Sequence, residues 1–229
     1  MKFGIIAAME EELKTLLMAL QDKEEVIVLG KTYYAGHIGQ HEVVLVQSGI
    51  GKVMSAMSVA ILAETFAVDT IINTGSAGAV AQGLAIGDVV IADCLVYHDV
   101  DVTAFGYAYG QMAGQELYYQ ADRTLMASLQ MVLNQQGIHN HVGLIATGDS
   151  FIAGQEKVDV IKEHFPEVLA VEMEGAAVAQ AAQAAGKPFL VIRAMSDTAQ
   201  GDANITFDEF VVEAGKRSAN TLLTLLTSY

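Results

Sequence analysis

Short apolar runs alternate with longer amphipathic stretches along the chain, which is the pattern of strands interleaved with helices. The apolar runs predict strands at 3–8, 42–48, 69–74, 87–96, 142–147, 167–172 and 188–195. The amphipathic stretches predict helices at 10–20, 52–65, 121–136, 155–164, 174–185 and 207–227. Two short strands, 26–29 and 33–38, precede 42–48 and should be antiparallel, whereas the strands separated by helices should be largely parallel. We therefore expect one α/β domain over residues 1–229, with a mixed β-sheet covered by helices on both faces.

Composition and charge narrow the class of protein. Hydrophobic residues make up 52% of the chain and charged residues 17%, which indicates an ordered globular protein. The formal net charge of -15 argues against nucleic-acid or anionic-membrane partners. A single cysteine, Cys94, excludes an internal disulfide. The apolar core of the first residues is short for a signal peptide, and glycines and Asp88 make 77–92 a poor membrane span. We expect a cytoplasmic location.

Groups that contain charged, hydroxyl or small residues directly follow five predicted strands. They are Met9 and Glu10–Glu12, Gly75–Gly78, Gly148–Ile152, Met173–Glu174 and Ser196–Asp197. Ligands of open α/β sheets bind outside the carboxyl ends of the strands, so parallel strands would bring these residues to one crevice. Each group alone has a simpler explanation, because Asp and Ser favour helix starts and Gly favours turns. Their coincidence at five strand ends predicts a binding site.

Several other chemistries are not supported by the residue pattern. The stretch SGIGKVMS lacks the first glycine and the final hydroxyl of a phosphate-binding loop, and TGSAGA lacks the glycines of a dinucleotide site. For a metal, His37 and His41 flank a predicted hairpin turn, while His139 and His141 can share one face of a strand. No cysteine or carboxylate accompanies these histidines at ligand spacing, so no metal is predicted.

Read together, the strand ends resemble one enzyme family. The motifs GIIAAMEEE, NTGSAGA, ATGDSFI, VEMEGAAVAQ and IRAMSDTA are similar to those of bacterial 5′-methylthioadenosine/S-adenosylhomocysteine nucleosidases. The resemblance implies the nucleoside phosphorylase/hydrolase fold, a homodimer and no cofactor. It also implies hydrolysis of the N-glycosidic bond of 5′-methylthioadenosine, S-adenosylhomocysteine and 5′-deoxyadenosine, in methionine salvage and activated-methyl recycling.

The same resemblance implies roles for particular residues. Asp197 is expected to protonate the adenine leaving group at N7, and Glu12 to activate the attacking water. Glu174 is expected to hold the ribose hydroxyls. The other implied substrate-site residues are Met9, Ser76, Gly78, Phe151, Ile152, Met173, Arg193, Ser196 and Phe207, with Val102, Phe105 and Tyr107 reaching in from the partner subunit. Glu172 has two open interpretations, a support for the carboxylates in contact with substrate or a strand-end residue satisfied by a backbone amide.

Chemistry agrees with this assignment. Cleavage creates an oxocarbenium-like sugar and a poor leaving group, which an acid and a base address together. An aspartic acid serves as the acid at neutral pH when burial or nearby carboxylates raise its pKa.

Two alternatives compete with hydrolysis. The first is a phosphorylase of the same fold, which would surround phosphate with arginines where this chain has Glu12 and Asn73. A carboxylate at that position repels phosphate and favours water. The second is a non-catalytic nucleoside-binding protein, which would have no need for both Glu12 and Asp197.

Overall fold

A ten-stranded mixed sheet forms the centre of this computed structural model, which describes residues 1–199 and 203–228. The strands are β1 (Lys2–Ala7), β2 (Gln21–Val28), β3 (Lys31–Ile38), β4 (His41–Gln47), β5 (Thr70–Ala79), β6 (Val89–Tyr97), β7 (Tyr119–Gln120), β8 (Asn140–Thr147), β9 (Ala170–Glu172) and β10 (Phe189–Asp197). The helices are α1 (Glu10–Ala19), α2 (Lys52–Glu64), α3 (Arg123–Gln135), α4 (Gln155–His164), α5 (Gly175–Ala184) and α6 (Ala203–Ser228).

Part of the sheet closes on itself. The strand order is β10-β6-β8-β9-β5-β1-β4-β3-β2, and β10 also pairs with β5, so five strands complete a ring. Pairing is parallel between β1 and β4, β1 and β5, β5 and β10, β6 and β8, and β8 and β9. It is antiparallel between β6 and β10, between β5 and β9, and along β2–β3–β4. This confirms the predicted mixed sheet with largely parallel later strands.

Helices cover both faces of the sheet because successive strand side chains point in opposite directions. In β1, Ile6 packs in a core that includes Leu62 of α2 and Ala179 of α5. Phe3 and Ile5 point to the other core, which is completed by leucines of α1, α3 and α6. Among the described residues, no helix has the length and apolar character needed to cross a bilayer.

The structure differs from the predicted elements in a few places. The small residues after residue 74, expected to form a loop, continue β5 to Ala79, and β10 runs through Asp197. The charged stretch before Val26 belongs to β2, an exposed edge strand whose polarity conceals it in the sequence. Conversely, β9 is shorter than predicted, β7 was not predicted, and α6 starts before residue 207.

Candidate active site

A cavity of about 280 Å³ lies where the ends of β1, β5, β8, β9 and β10 meet. This volume is near the lower end of the range for small-molecule sites. Closure of the sheet, rather than a uniform parallel arrangement, brings these ends together. The predicted residues that line the cavity are Met9, Glu12, Ser76, Gly78, Phe151, Ile152, Met173, Glu174, Ser196, Asp197 and Phe207.

Other predicted residues lie elsewhere. Arg193 is buried behind the cavity wall and contacts its carboxylates. A short 3₁₀ helix, Thr103–Phe105, ends at Phe105 and lies between Val102 and Tyr107. All three predicted residues are outside the cavity of the single chain, and Phe105 is 82% exposed.

Residues that sequence reasoning did not assign to the site also line the cavity, among them Ile50, Ser150 and Val171. Ile50 follows β4 through a short turn and Val171 lies in β9, so neither carries a chemical signal. Ser150 belongs to the predicted strand-end group Gly148–Ile152, so of these three residues it is the one that the sequence could have assigned to the site.

Glu12 is held by four hydrogen-bond donors. Its Oε2 accepts from the backbone N–H groups of Ala8 (2.9 Å) and Met9 (3.1 Å). Its Oε1 accepts from the backbone N–H (2.9 Å) and the hydroxyl (3.0 Å) of Ser76. Glu12 lies in the first turn of α1, where a carboxylate that accepts from the backbone also stabilises the helix start. The contacts fix the carboxylate in the cavity wall.

Asp197 lines the same cavity. Its Oδ1 accepts from the Ala199 N–H (2.8 Å) and its Oδ2 from the Ser196 hydroxyl (2.9 Å). Burial raises the pKa of Asp197, although the bonds from Ala199 and Ser196 lower it. The net effect favours a protonated carboxyl group compared with an aspartate in water, as a general acid requires.

Glu172 and Glu174 share the guanidinium of Arg193. Arg193 Nη2 pairs closely with Glu172 Oε2 and lies 3.5 Å from Glu174 Oε2, while Nη2 also donates to the Asn73 side-chain oxygen. Glu172 Oε2 additionally accepts from the N–H groups of Glu174 (3.0 Å) and Gly175 (2.7 Å). Both earlier interpretations of Glu172 therefore apply in part, since it supports the site and accepts backbone amides at a strand end.

Glu174 has less electrostatic compensation. Its Oε1 accepts from the Gly51 N–H at the start of α2 (2.9 Å). Burial raises the pKa of Glu174 to about 7; Glu172 and Glu12 raise it as well, whereas Arg193 and the Gly51 amide lower it. The carboxylates of Glu12, Glu172 and Glu174 thus share the one buried guanidinium of Arg193, and the ionised form of Glu174 is destabilised as a result.

The unfavourable ionisation of Glu174 predicts a pH-dependent effect of Glu174→Gln on stability. Below pH 4.5 a glutamate is protonated in both the folded and unfolded states. Between pH 4.5 and about 7 the unfolded state ionises while the folded state stays protonated, so the wild type loses stability over this range. Between pH 5 and pH 8, the free energy of unfolding of the glutamine variant should therefore improve relative to wild type by about 2 kcal/mol. Urea unfolding of both proteins at the two pH values measures this. An equal difference at both would show that Glu174 ionises normally.

Aromatic rings form one wall of the cavity. Phe151 and Phe207 meet edge to face, with ring centroids 5.5 Å apart and planes at 73°. Phe151 is 40% exposed, so its ring is free to contact a flat ligand. Aromatic stacking of this kind suits a purine.

Two glycines of β5 are required by close approach of the catalytic candidates. A β carbon at Gly75 would lie 2.5 Å from Arg193 Nη1 and 2.8 Å from Glu12 Oε1. A β carbon at Gly78 would lie 2.8 Å from Asp197 Oδ1 and 3.1 Å from the Ala199 side chain. The small residues of NTGSAGA are therefore a strand that admits charged side chains.

Gly78→Ala should displace the Asp197 carboxyl group and lower the rate of the reaction at this site at least about tenfold, because misplaced catalytic groups lose their geometric advantage. The matched control is Gly83→Ala, where the new β carbon meets no atom within 4 Å but φ is +89°. The control should lose about 1 kcal/mol of stability and keep its activity. Steady-state rates and thermal unfolding of both variants check this, and full activity of Gly78→Ala would contradict the assigned position of Asp197.

The fold and site match a known superfamily. The model of the phosphorylase superfamily matches residues 2–227, and the chain belongs to this superfamily. The 5′-methylthioadenosine/S-adenosylhomocysteine nucleosidase of Geobacillus thermodenitrificans is 46% identical over 228 residues, covering 99% of this chain and 97% of that protein. That of Staphylococcus carnosus is 47% identical over 225 residues, with 98% and 99% covered. Within the superfamily, the chain belongs to the 5′-methylthioadenosine/S-adenosylhomocysteine nucleosidases, as its motifs predicted.

Solved structures agree. The S-adenosylhomocysteine nucleosidase of Streptococcus pyogenes, in complex with a methylthio nucleoside analogue, is 68% identical with a TM-score of 0.98, covering 100% of this chain and 97% of that one. The nucleosidase of S. pneumoniae with the transition-state inhibitor MT-ImmA is 66% identical with a TM-score of 0.97, and 99% of each chain is covered.

Proposed function

We propose that this protein hydrolyses the N-glycosidic bond of 5′-methylthioadenosine and S-adenosylhomocysteine, and also of 5′-deoxyadenosine, releasing adenine and the 5′-substituted ribose. One observation carries the proposal: Glu12 and Asp197 line the same cavity, together with Glu172 and Glu174, and none of the described lining residues is cationic. A site of this charge stabilises a sugar that becomes positive in the transition state.

The two ends of the reaction fall to different carboxyl groups. Asp197, whose pKa is raised, donates a proton to the purine as the bond breaks. Glu12 accepts a proton from the attacking water. Glu174 holds the ribose hydroxyls, assisted by the backbone of Met173, and Arg193 keeps Glu174 and Glu172 in place. Ser196 orients Asp197 through the hydrogen bond between them.

The remaining lining residues account for the shape of the substrate. Phe151 stacks on the purine, the Ile152 backbone binds its edge, and Ser76 and Gly78 lie beside the sugar. Met9, Met173 and Phe207 supply apolar walls, which suit a thioether because it makes few hydrogen bonds.

The phosphorylase alternative is disfavoured by the same contacts. Attack by phosphate requires cations beside the sugar. Of the chain's arginines, Arg193 is the one buried at the site, and its Nη2 is already shared by Glu172, Glu174 and Asn73. Asn73 is committed too, because its amide donates to the Ile6 carbonyl (3.0 Å). Water is therefore the proposed nucleophile.

Product analysis tests the reaction class. Each of the three nucleosides is incubated with the enzyme, with and without inorganic phosphate, and the products are separated by chromatography. We expect adenine and free sugar at equal rates in both conditions. Formation of a sugar 1-phosphate, or dependence on phosphate, would overturn hydrolysis, and failure to release adenine would overturn the function.

We further propose that the active form is a homodimer located in the cytoplasm. An apolar groove between α2 and α5 includes Val53 and Met112, which are 66% and 40% exposed. It begins next to the cavity, because Ile50 lines the cavity just before α2. We propose that a second copy covers this groove and contributes its exposed Phe105 to the site. The free Cys94 and the net charge of -15 are in keeping with a cytoplasmic enzyme without nucleic-acid partners.

Subunit complementation tests the dimer directly. Phe105→Ala and Asp197→Asn homodimers should each be impaired, but a mixed dimer should regain activity. In that dimer the site with an intact Asp197 receives an intact Phe105 from the other subunit. Adenine release is measured after the two variants are co-refolded, with separately refolded variants as the control. No gain on mixing, or full wild-type activity in a monomer shown by sedimentation, would contradict the proposal.

A further inference from the structure

Three potential metal ligands meet where β6 and β8 begin, and none of them lines the active-site cavity. Asp88, His139 and His141 each offer one ligand atom, and these atoms all lie within 4.8 Å of one another. Among the described residues, this is the only such group of three. Asp88 is far from both histidines in the chain, so ligand spacing in the sequence did not predict this group.

Strand pairing explains the group. His139 immediately precedes β8 and His141 is its second residue, so along an extended backbone their side chains share a face. The parallel ladder pairs Val89 with Asn140 and Val90 with His141, which places Asp88 beside His139. The ladder therefore fixes the backbone positions of all three residues.

The side chains are partly arranged for a ligand. His141 Nε2 is buried without a hydrogen-bond partner, and it lies 3.7 Å from Asp88 Oδ2. Two ligands of a tetrahedral ion with bonds of about 2.0–2.1 Å are separated by about 3.3 Å, so this pair is nearly at ligand spacing. Asp88 Oδ2 also accepts from the Ala85 N–H (2.9 Å), which orients the carboxylate. His139 is exposed, so its ring is free to close the remaining distance.

We propose that Asp88, His139 and His141 bind one zinc-class divalent ion, with water in the fourth position. Two imidazoles and one carboxylate suit Zn²⁺ and exclude Mg²⁺ and Ca²⁺, which prefer oxygen ligands. The Arg217 guanidinium packs against neighbouring Gly87 and weakens the site, so we expect a dissociation constant in the micromolar range.

The ion would join the starts of β6 and β8, and β6 is paired with β10, the strand that carries Asp197. The Asp88 carbonyl accepts from the Met195 N–H and the Gly87 N–H donates to the Met195 carbonyl, both at 2.9 Å. Met195 lies in β10, two residues before Asp197. The bound ion therefore stabilises the β8–β6–β10 junction and takes no part in bond cleavage.

Zinc titration of chelator-treated protein tests the site, with calorimetry for binding and thermal unfolding for stability. We expect one ion per chain and a rise in melting temperature of several degrees. His139→Asn and Asp88→Asn should each weaken binding at least tenfold. His139 is exposed, so its variant should fold normally. The matched control is His37→Asn. His37 Nδ1 lies 3.7 Å from Asp22 Oδ2, the same separation, but this pair offers two potential ligands instead of three.

The control variant should bind zinc as wild type does. Absence of binding up to about 100 micromolar zinc, or equal binding by wild type and the Asp88 and His139 variants, would overturn the proposal. Activity of the zinc-free enzyme gives a separate check. It should equal that of the zinc-bound enzyme, and a strict requirement for zinc would contradict the structural role.

Discussion

Asp197→Asn should slow adenine release by about 10²- to 10⁴-fold while nucleoside binding stays within a few-fold of wild type. Asparagine keeps the shape of the side chain and an oxygen that accepts from the Ala199 N–H. Its amide N–H is too weakly acidic to protonate the purine, and the departing adenine would leave as an anion. Initial rates of adenine release, with the dissociation constant of an uncleaved substrate analogue measured by calorimetry, separate the two effects.

The pH profile of the wild type provides the control. The protonated form of Asp197 reacts, so activity should fall as pH rises through its raised pKa. Ser196→Ala removes a hydrogen bond that lowers this pKa, and the alkaline limb should move to higher pH. Near-normal turnover by the asparagine variant would refute the assignment. A shift to lower pH in the serine variant would show that another group supplies the proton.

Much of the fold was predictable because hydrophobic periodicity reports which face of an element is buried. The helices α1, α2 and α4 begin at the residues where the pattern placed them. The pattern failed where the buried residues are small or polar instead of apolar. Gly75–Gly78 looked like a loop because small residues favour turns, yet they continue β5, where missing side chains make room for Arg193 and Glu12.

The candidate site was predictable to a similar degree, for a different reason. Strand ends attract ligand-binding residues, so Glu174, Asp197 and the group Glu10–Glu12 were recognisable from their positions, and the family resemblance then singled out Glu12. Contacts between distant segments were not. The Gly51 amide that binds Glu174 has no side-chain signal, and Asp88 joins the two histidines through a strand ladder that only the tertiary structure reveals.

Glu12→Gln should reduce hydrolysis by a similar factor of about 10² to 10⁴, because the water loses its proton acceptor. Among the four donors to Glu12, three are backbone amides, and only the Ser76 hydroxyl is able to rotate away. Rotation would free a lone pair of Oε1 to accept a proton from the attacking water. Glutamine has one oxygen instead of two, so its amide nitrogen must face a backbone N–H.

The unmatched donors should also cost the glutamine variant about 1–3 kcal/mol of stability. Rates are therefore compared at a temperature well below both unfolding transitions. Ser76→Ala is the matched control, since it removes the rotating donor but keeps the carboxylate and should hydrolyse at least tenfold faster than Glu12→Gln. Hydrolysis by Glu12→Gln at the wild-type rate would eliminate Glu12 as the base. Cleavage that returns only with added phosphate would instead show that the scaffold supports phosphorolysis, and that the Glu12 carboxylate is what selects water.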